Sequence, residues 1–216
     1  DQATINAAIQ NIKEDIDYDK IATRLFLKVI YRRVVGDYNH DKETLVKMHK
    51  DAFIKYIKTG VELNRLDKRM IEKFDLAKLA DVINIDRDEL FQYTGLSTVV
   101  SLYLLRDEKE KHMETPQMYW MRVAMGLSYN EEDPTKWATT FYNKMSKMEY
   151  IPGTSTNLGA GTARPALSNC FLIEMQDDME NIALTKPYIY AEKIPAIFNW
   201  EADIQPARTP EDHFSL

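Results

Sequence analysis

One thiol, Cys170, stands alone among 216 residues. A thiolate is a nucleophile and a redox centre, but a single one cannot close a disulfide within its own chain. Two-electron dithiol chemistry here requires a second thiol from another polypeptide or from further sequence. The same count excludes thiolate-rich zinc and iron–sulfur sites, and it fits a reducing, cytosolic compartment. Cys170 lies in a run, Ala166–Glu174, that reads as a strand, where a cysteine also serves as a small buried apolar residue. Chemistry alone leaves both roles open. Just upstream, Pro152–Pro165 gathers three of the seven glycines among threonines; such a segment bends tightly or approaches a ligand closely. Its Gly159-Ala160-Gly161-Thr162 offers backbone N–H groups to an anion, without the lysine that completes a phosphate loop. Asp177-Asp178 follows the strand and precedes one expected helical turn, Met179–Leu184. His40, His49, His112 and His213 are scattered, share no metal-ligand spacing, and read as exposed helix and loop residues.

The elements that must position this stretch are helical for the first two-thirds of the chain. Ile5–Ile16 has apolar residues at helical spacing. Asp17 is expected to cap a second helix, striped by Ala22, Leu25, Phe26, Val29 and Ile30, with Gly36 past its end. Asp41 opens a third, closed at Gly60. Short helices are expected over 67–74, 76–83, 86–93 and 96–105. Thr115-Pro116 marks a helix start, and Met118, Met121 and Met125 read as core filler. Pro134 starts the next helix, with Trp137, Phe141, Met145 and Met148 spaced by about one turn. Residues 185–216 hold four prolines and little periodicity, and read as extended.

Composition sets the outer bounds. Hydrophobic residues make up 44% and charged residues 29%, with 28 basic against 34 acidic side chains and a net charge of −6. That balance is ordinary for a globular domain and argues against a general nucleic-acid binder, whose affinity rests on neutralising phosphates. The longest apolar run, near Val99–Leu105, is too short for a bilayer, and no secretory leader opens the sequence.

Three stretches in fixed order then carry a resemblance. They are Tyr93-Thr94-Gly95-Leu96 with Leu102-Tyr103-Leu104-Leu105-Arg106; Glu114-Thr115-Pro116-Gln117-Met118-Tyr119-Trp120-Met121-Arg122-Val123-Ala124-Met125-Gly126-Leu127; and Gly161-Thr162-Ala163-Arg164-Pro165-Ala166-Leu167-Ser168-Asn169-Cys170-Phe171-Leu172. Together they resemble the N-terminal part of the large, catalytic subunit of class I ribonucleotide reductase, from about residue 18 to about residue 183. The resemblance implies a mainly α fold: a helical domain over 1–148, then the first strand or strands of a ten-stranded α/β barrel over 149–184, with an extended tail of unclear origin over 185–216.

It also implies chemistry. In that family a thiyl radical abstracts a hydrogen atom from the ribose of a ribonucleotide, and a pair of cysteines supplies the reducing equivalents. Cys170 matches one of the pair. Thr154 falls where a substrate-contacting hydroxyl lies, and Asn169 occupies a substrate-site position usually held by serine. Ser155-Thr156-Asn157 replaces the usual Pro-Thr-Leu. Asp178 matches an acidic residue of the allosteric site for a deoxynucleoside triphosphate. No cofactor is expected in this chain itself; dNTP and ATP effectors, and a radical delivered by the small subunit, are. The implied partners are that small radical-generating subunit, the remainder of the large subunit or a second large-subunit chain, a thioredoxin- or glutaredoxin-type reductant and nucleotides, with no nucleic acid and no membrane, in the cytoplasm. The radical loop and second cysteine are missing, so the chain is expected to be a fragment, half of a split subunit, or a remnant. The alternative is a non-catalytic module that binds reductase subunits, and the final Asp212-His213-Phe214-Ser215-Leu216 is similar to the Phe-x-Leu docking tail of the small subunit.

Overall fold

Apolar residues recurring every three or four positions close a helical core around one segment, Pro116–Leu127. The structure, a computed structural model, describes residues 2–36 and 41–168. Among these, α1 (Gln2–Asn11) and α2 (Asp17–Val34) form a hairpin, and α3 (Lys42–Glu62) follows. Short turns come next: α4 (Arg69–Glu72), α5 (Leu76–Val82), a 3₁₀ segment Ile85–Leu90, α6 (Tyr93–Thr98) and a π-helical turn Val99–Tyr103. Then come α7 (Pro116–Leu127), α8 (Pro134–Ser146) and α9 (Thr154–Gly159). Strand pairing among the described residues is limited to two isolated bridges, Leu66 with Thr162 and Arg106 with His112. The chain is mainly α, as its periodicity predicts.

Local chemistry sets the boundaries. Asp41 caps α3 by accepting from the Thr44 backbone N–H at 3.0 Å. Asp75 caps α5 through Lys78, and Asp133 caps α8 through Lys136. Pro116 and Pro134 occupy the first turn, where a missing N–H costs nothing. Every residue from Pro116 to Gly126 is buried, so α7 has no solvent face and packs on α8, α9 and the turns around 85–103. Met118, Met121 and Met125 are core residues, as expected.

Several expectations are corrected. Asp17 lies inside α2 and caps nothing; Asp15 accepts from its backbone N–H. Gly60 does not end α3, which runs to Glu62; instead Leu66 folds back against it, and a Cβ there would meet Leu66 Cδ1 at 2.5 Å. The buried face of α8 is Ala138, Tyr142 and Met145, while Trp137 is 39% exposed. His49 is buried rather than exposed, its Nδ1 facing the Leu45 carbonyl and its ring edge-on to Tyr31; burial lowers its pKa. The loop expected over 152–165 contains α9. Of the strand expected over Ala166–Glu174, residues 166–168 have no regular structure. The rest of it, the turn at Met179–Leu184 and the tail over 185–216 lie outside the described residues, as do His40 and His213.

Two glycines report how tightly α7 is approached. A Cβ on Gly126 would collide with the Gly161 nitrogen and come within 2.6 Å of the Ala160 carbonyl carbon, while one on Gly95 would meet nothing closer than 3.9 Å. Gly126→Ala should therefore lower unfolding stability by about 1–3 kcal/mol through overpacking against backbone. Gly95→Ala, in a helix with room, should raise it by up to about 1 kcal/mol. Urea denaturation of the two variants checks the opposite signs.

Candidate functional site

The segment from Ile151 to Ser168 carries the exposed threonine and leads to the cysteine. It is built around a helix of six residues, too short to hold itself together in water. Side chains close it from within: Asn157 Nδ2 donates to the Pro152 carbonyl at 2.9 Å and Thr162 Oγ1 to the Gly159 carbonyl at 2.8 Å. The chain then leaves through Gly161, at φ +81°, the left-handed region that costs a residue with a Cβ. There it pairs with the turn after α3, the Asp67 N–H donating to the Gly161 carbonyl and the Ala163 N–H to that of Arg65.

Arg122, on α7, fixes this segment from beneath. Its guanidinium has no solvent exposure and lies opposite an equally buried carboxylate, Glu114. Nε donates to Glu114 Oε2 at 3.1 Å, and Nη2 to Glu114 Oε1 at 3.1 Å. Nη1 donates to the Ala160 carbonyl at 2.6 Å, and Nη2 also reaches the Asn157 and Tyr103 carbonyls at 3.3 and 3.2 Å. Glu114 in turn accepts from the Leu105 N–H at 2.9 Å and from the Tyr56 hydroxyl. Burial is the largest single influence and opposes the charge on Arg122, but the Glu114 carboxylate, by its charge and its hydrogen bonds, together with Tyr56 and Tyr119, holds the pKa above the ordinary arginine value. Burial, reinforced by the same carboxylate, pushes the Tyr56 hydroxyl well up, so it remains a donor.

A second buried cluster stands on the other side of α7. Asp88, 1% exposed, accepts from the Tyr31 hydroxyl and from Gln117 Nε2 at 2.6 Å. Gln117 Oε1 accepts from the Tyr142 hydroxyl at 2.7 Å, and that hydroxyl accepts from the Asn84 N–H at 2.9 Å. Burial pushes the Asp88 carboxyl up to about 7, against the opposing pull of the bonds from Tyr31 and Gln117 and with a small push from Glu89.

Of the residues singled out from sequence, Thr154 is described: it begins α9 and is exposed, following the N-cap Gly153. Asn169, Cys170 and Asp178 lie outside the described residues. The Gly159–Thr162 stretch is occupied by its own fold, with Gly161 buried against Arg122. Among the described residues no group of three or more His, Cys, Asp or Glu side chains could hold a metal ion, and no helix is long and apolar enough to cross a membrane. Sequence reasoning missed the roles of Arg122, Glu114, Tyr56, Asp88 and Gln117. The available signal was a lone charge among Met118, Met121, Val123, Ala124 and Met125, with an acid just before the helix cap.

Comparison with known proteins bears on this geometry. Residues 89–165 match the family described as "Ribonucleotide reductase, all-alpha domain". That span contains Glu114, Arg122 and all of α9. The chain is 41% identical over 180 residues to the ribonucleoside-diphosphate reductase subunit alpha of Chlamydia trachomatis, covering 83% of this chain and 17% of that protein. It is 35% identical over 184 residues to the subunit alpha of Helicobacter pylori, covering 84% and 22% respectively. A ribonucleoside-diphosphate reductase large subunit of Acanthamoeba polyphaga mimivirus is 29% identical over 183 residues, covering 85% and 20%. The chain thus spans about a fifth of the length of these curated relatives.

The raised Asp88 carboxyl has a measurable sign. Its folded value of about 7 stands above the ordinary 3.8, so the folded state holds this proton more tightly than the unfolded one. The stability it contributes is fully present below about pH 4 and is lost as pH rises through 7. Asp88→Asn should flatten that part of the pH–stability curve. Denaturant titrations between pH 4 and 8 check it, and an unchanged slope in the variant defeats the assignment.

Proposed function

The chain belongs to the ribonucleotide reductase large-subunit family, whose N-terminal helical segment it carries, and from that premise we propose that it supplies part of the substrate site of a ribonucleoside-diphosphate reductase. The reaction converts ribonucleotides to deoxyribonucleotides for DNA synthesis. A thiyl radical on a cysteine outside this chain abstracts a ribose hydrogen atom. Two thiols then give up two electrons and two protons and become a disulfide, while one ribose hydroxyl leaves as water.

In that scheme Cys170 is one of the two reducing thiols, restored by a thioredoxin- or glutaredoxin-type dithiol through exchange. Thr154 and Asn169 contact the substrate, and Asp178 contacts the deoxynucleoside triphosphate effector. The chain contains one cysteine, so the second thiol and the radical cysteine come from the remainder of the large subunit or a second chain. The small subunit delivers the radical, and the compartment is the cytoplasm. The observation that carries the reading is the 153–163 segment. It belongs to the matched all-alpha domain, is clamped to the core through main-chain carbonyls, and leaves the hydroxyl-bearing Thr154 exposed.

The test is made on the assembled reductase, this chain combined with the rest of the large subunit and with the small subunit. Cys170→Ser should abolish multiple turnover on a dithiol reductant and leave radical formation in the small subunit intact, read by its spectroscopic signal. Full turnover by this variant sinks the assignment of Cys170. Persistence of subunit binding without turnover in the wild-type assembly favours the non-catalytic module instead.

A further inference from the structure

Resting on the reading of residues 153–163 as a substrate loop, we propose that Arg122 is the positioning residue of that loop, fixing Thr154 from the far end of α9. The guanidinium is not available to a substrate. It is fully buried, and its three nitrogens are turned to Glu114 and to three main-chain carbonyls, those of Tyr103, Asn157 and Ala160. Two of the three belong to the last turn of α9 and the residue after it. Thr154 is the first residue of the same helix, about 9 Å away at 1.5 Å per residue. A helix so short moves as one body, so whatever fixes its last carbonyls fixes its first side chain.

The contact surface permits no slack. Gly161 packs on Arg122 so closely that a Cβ there would stand 2.8 Å from Arg122 Cγ, and Gly126 lets the Ala160–Gly161 backbone sit directly on α7. Displacement of the guanidinium therefore passes to the loop without an intervening flexible side chain. The other end of the clamp is equally fixed, since Glu114 is held by the Leu105 N–H and by Tyr56 of α3.

Packing alone does not call for this residue. A buried ion pair is commonly no more stabilising than apolar side chains of the same volume, and α7 supplies methionine, valine and alanine on either side. What a methionine cannot supply is a planar fork of donors aimed at specified carbonyls. The guanidinium fits orientation better than it fits stability.

The experiment compares Arg122→Gln, Thr154→Ala and the double variant in the assembled reductase. Arg122→Gln should raise KM for the ribonucleotide about tenfold with kcat changed far less, the pattern of lost ground-state and transition-state binding alike. In the Thr154→Ala background it should add little, because both substitutions disable one contact. Amide hydrogen exchange in the chain should quicken over 154–163 and stay native in α1–α3. A wild-type KM in a folded Arg122→Gln variant overturns the inference, and, where Thr154→Ala itself raises KM, so do effects of the two substitutions that simply multiply. Arg122→Lys keeps a charge opposite Glu114 and decides the same question if the glutamine variant does not fold: raised KM supports the inference, wild-type KM overturns it. A wild-type KM for Thr154→Ala defeats the reading of Thr154 itself, and the KM of the Arg122 variants then judges the loop inference alone.

Discussion

A charge with no access to water organises this fold. Removing either member of the Arg122–Glu114 pair would leave the other buried and uncompensated, at a cost of about 3–5 kcal/mol, comparable with a large share of a domain's net stability. The pair is tolerable because its remaining valences are filled from separate parts of the chain: Tyr56 from α3, the Leu105 N–H, and the carbonyls of Tyr103, Asn157 and Ala160. Each of those segments must be in place for the pair to be satisfied, so the pair ties the long helices to the short ones. Hydrophobic area has no such demand, since it accepts many packings. Directional bonds to a buried ion select one.

The opposite side of α7 solves the same problem by other means. Among the described residues the donors to Asp88 are neutral, Tyr31 and Gln117, and no cation is among the groups that shift it. The bonds from Tyr31 and Gln117 offset desolvation only in part, so its proton is retained close to neutrality, whereas Arg122 keeps its charge beside Glu114. Gln117 and Arg122 sit on one helix five residues apart and serve these two clusters. The first turn of α7 is thus tied to α2 and α8, and its middle to α3 and α9. A wholly buried helix with two polar anchors on different sides has its rotation and its depth both fixed.

Legibility in the sequence follows this division. The long helices were readable because α2, α3 and α8 show sustained periodicity and α3, α7 and α8 carry side-chain or proline start signals at Asp41, Pro116, Asp133 and Pro134. The 85–105 region blurred: a 3₁₀ segment and a π-helical turn have periods that a 3.6-residue pattern does not capture. Gly60 misled because a glycine that admits a neighbour looks, in sequence, like one that ends a helix. Thr154 was legible as a candidate only through the resemblance. Of the clamp beneath it only the lone charge of Arg122 and the nearby Glu114 left a trace, since its carbonyl partners lie up to 38 positions away and main-chain carbonyls leave no mark in residue type.

That dependence on distant backbone is matched by restraint within the loop itself. Asn157 Nδ2 holds the Pro152 carbonyl, and its backbone N–H closes on Gly153. Thr156 Oγ1 leans on the Leu167 carbonyl at 3.4 Å, a long contact that adds little. The Asn157 carbonyl is also one of the acceptors of Arg122, so a single residue joins the internal restraint to the external clamp. The helical layer and the loop it carries are therefore one mechanical unit: α9 is too short to exist without α7, and the charge on α7 is too costly to bury without α9.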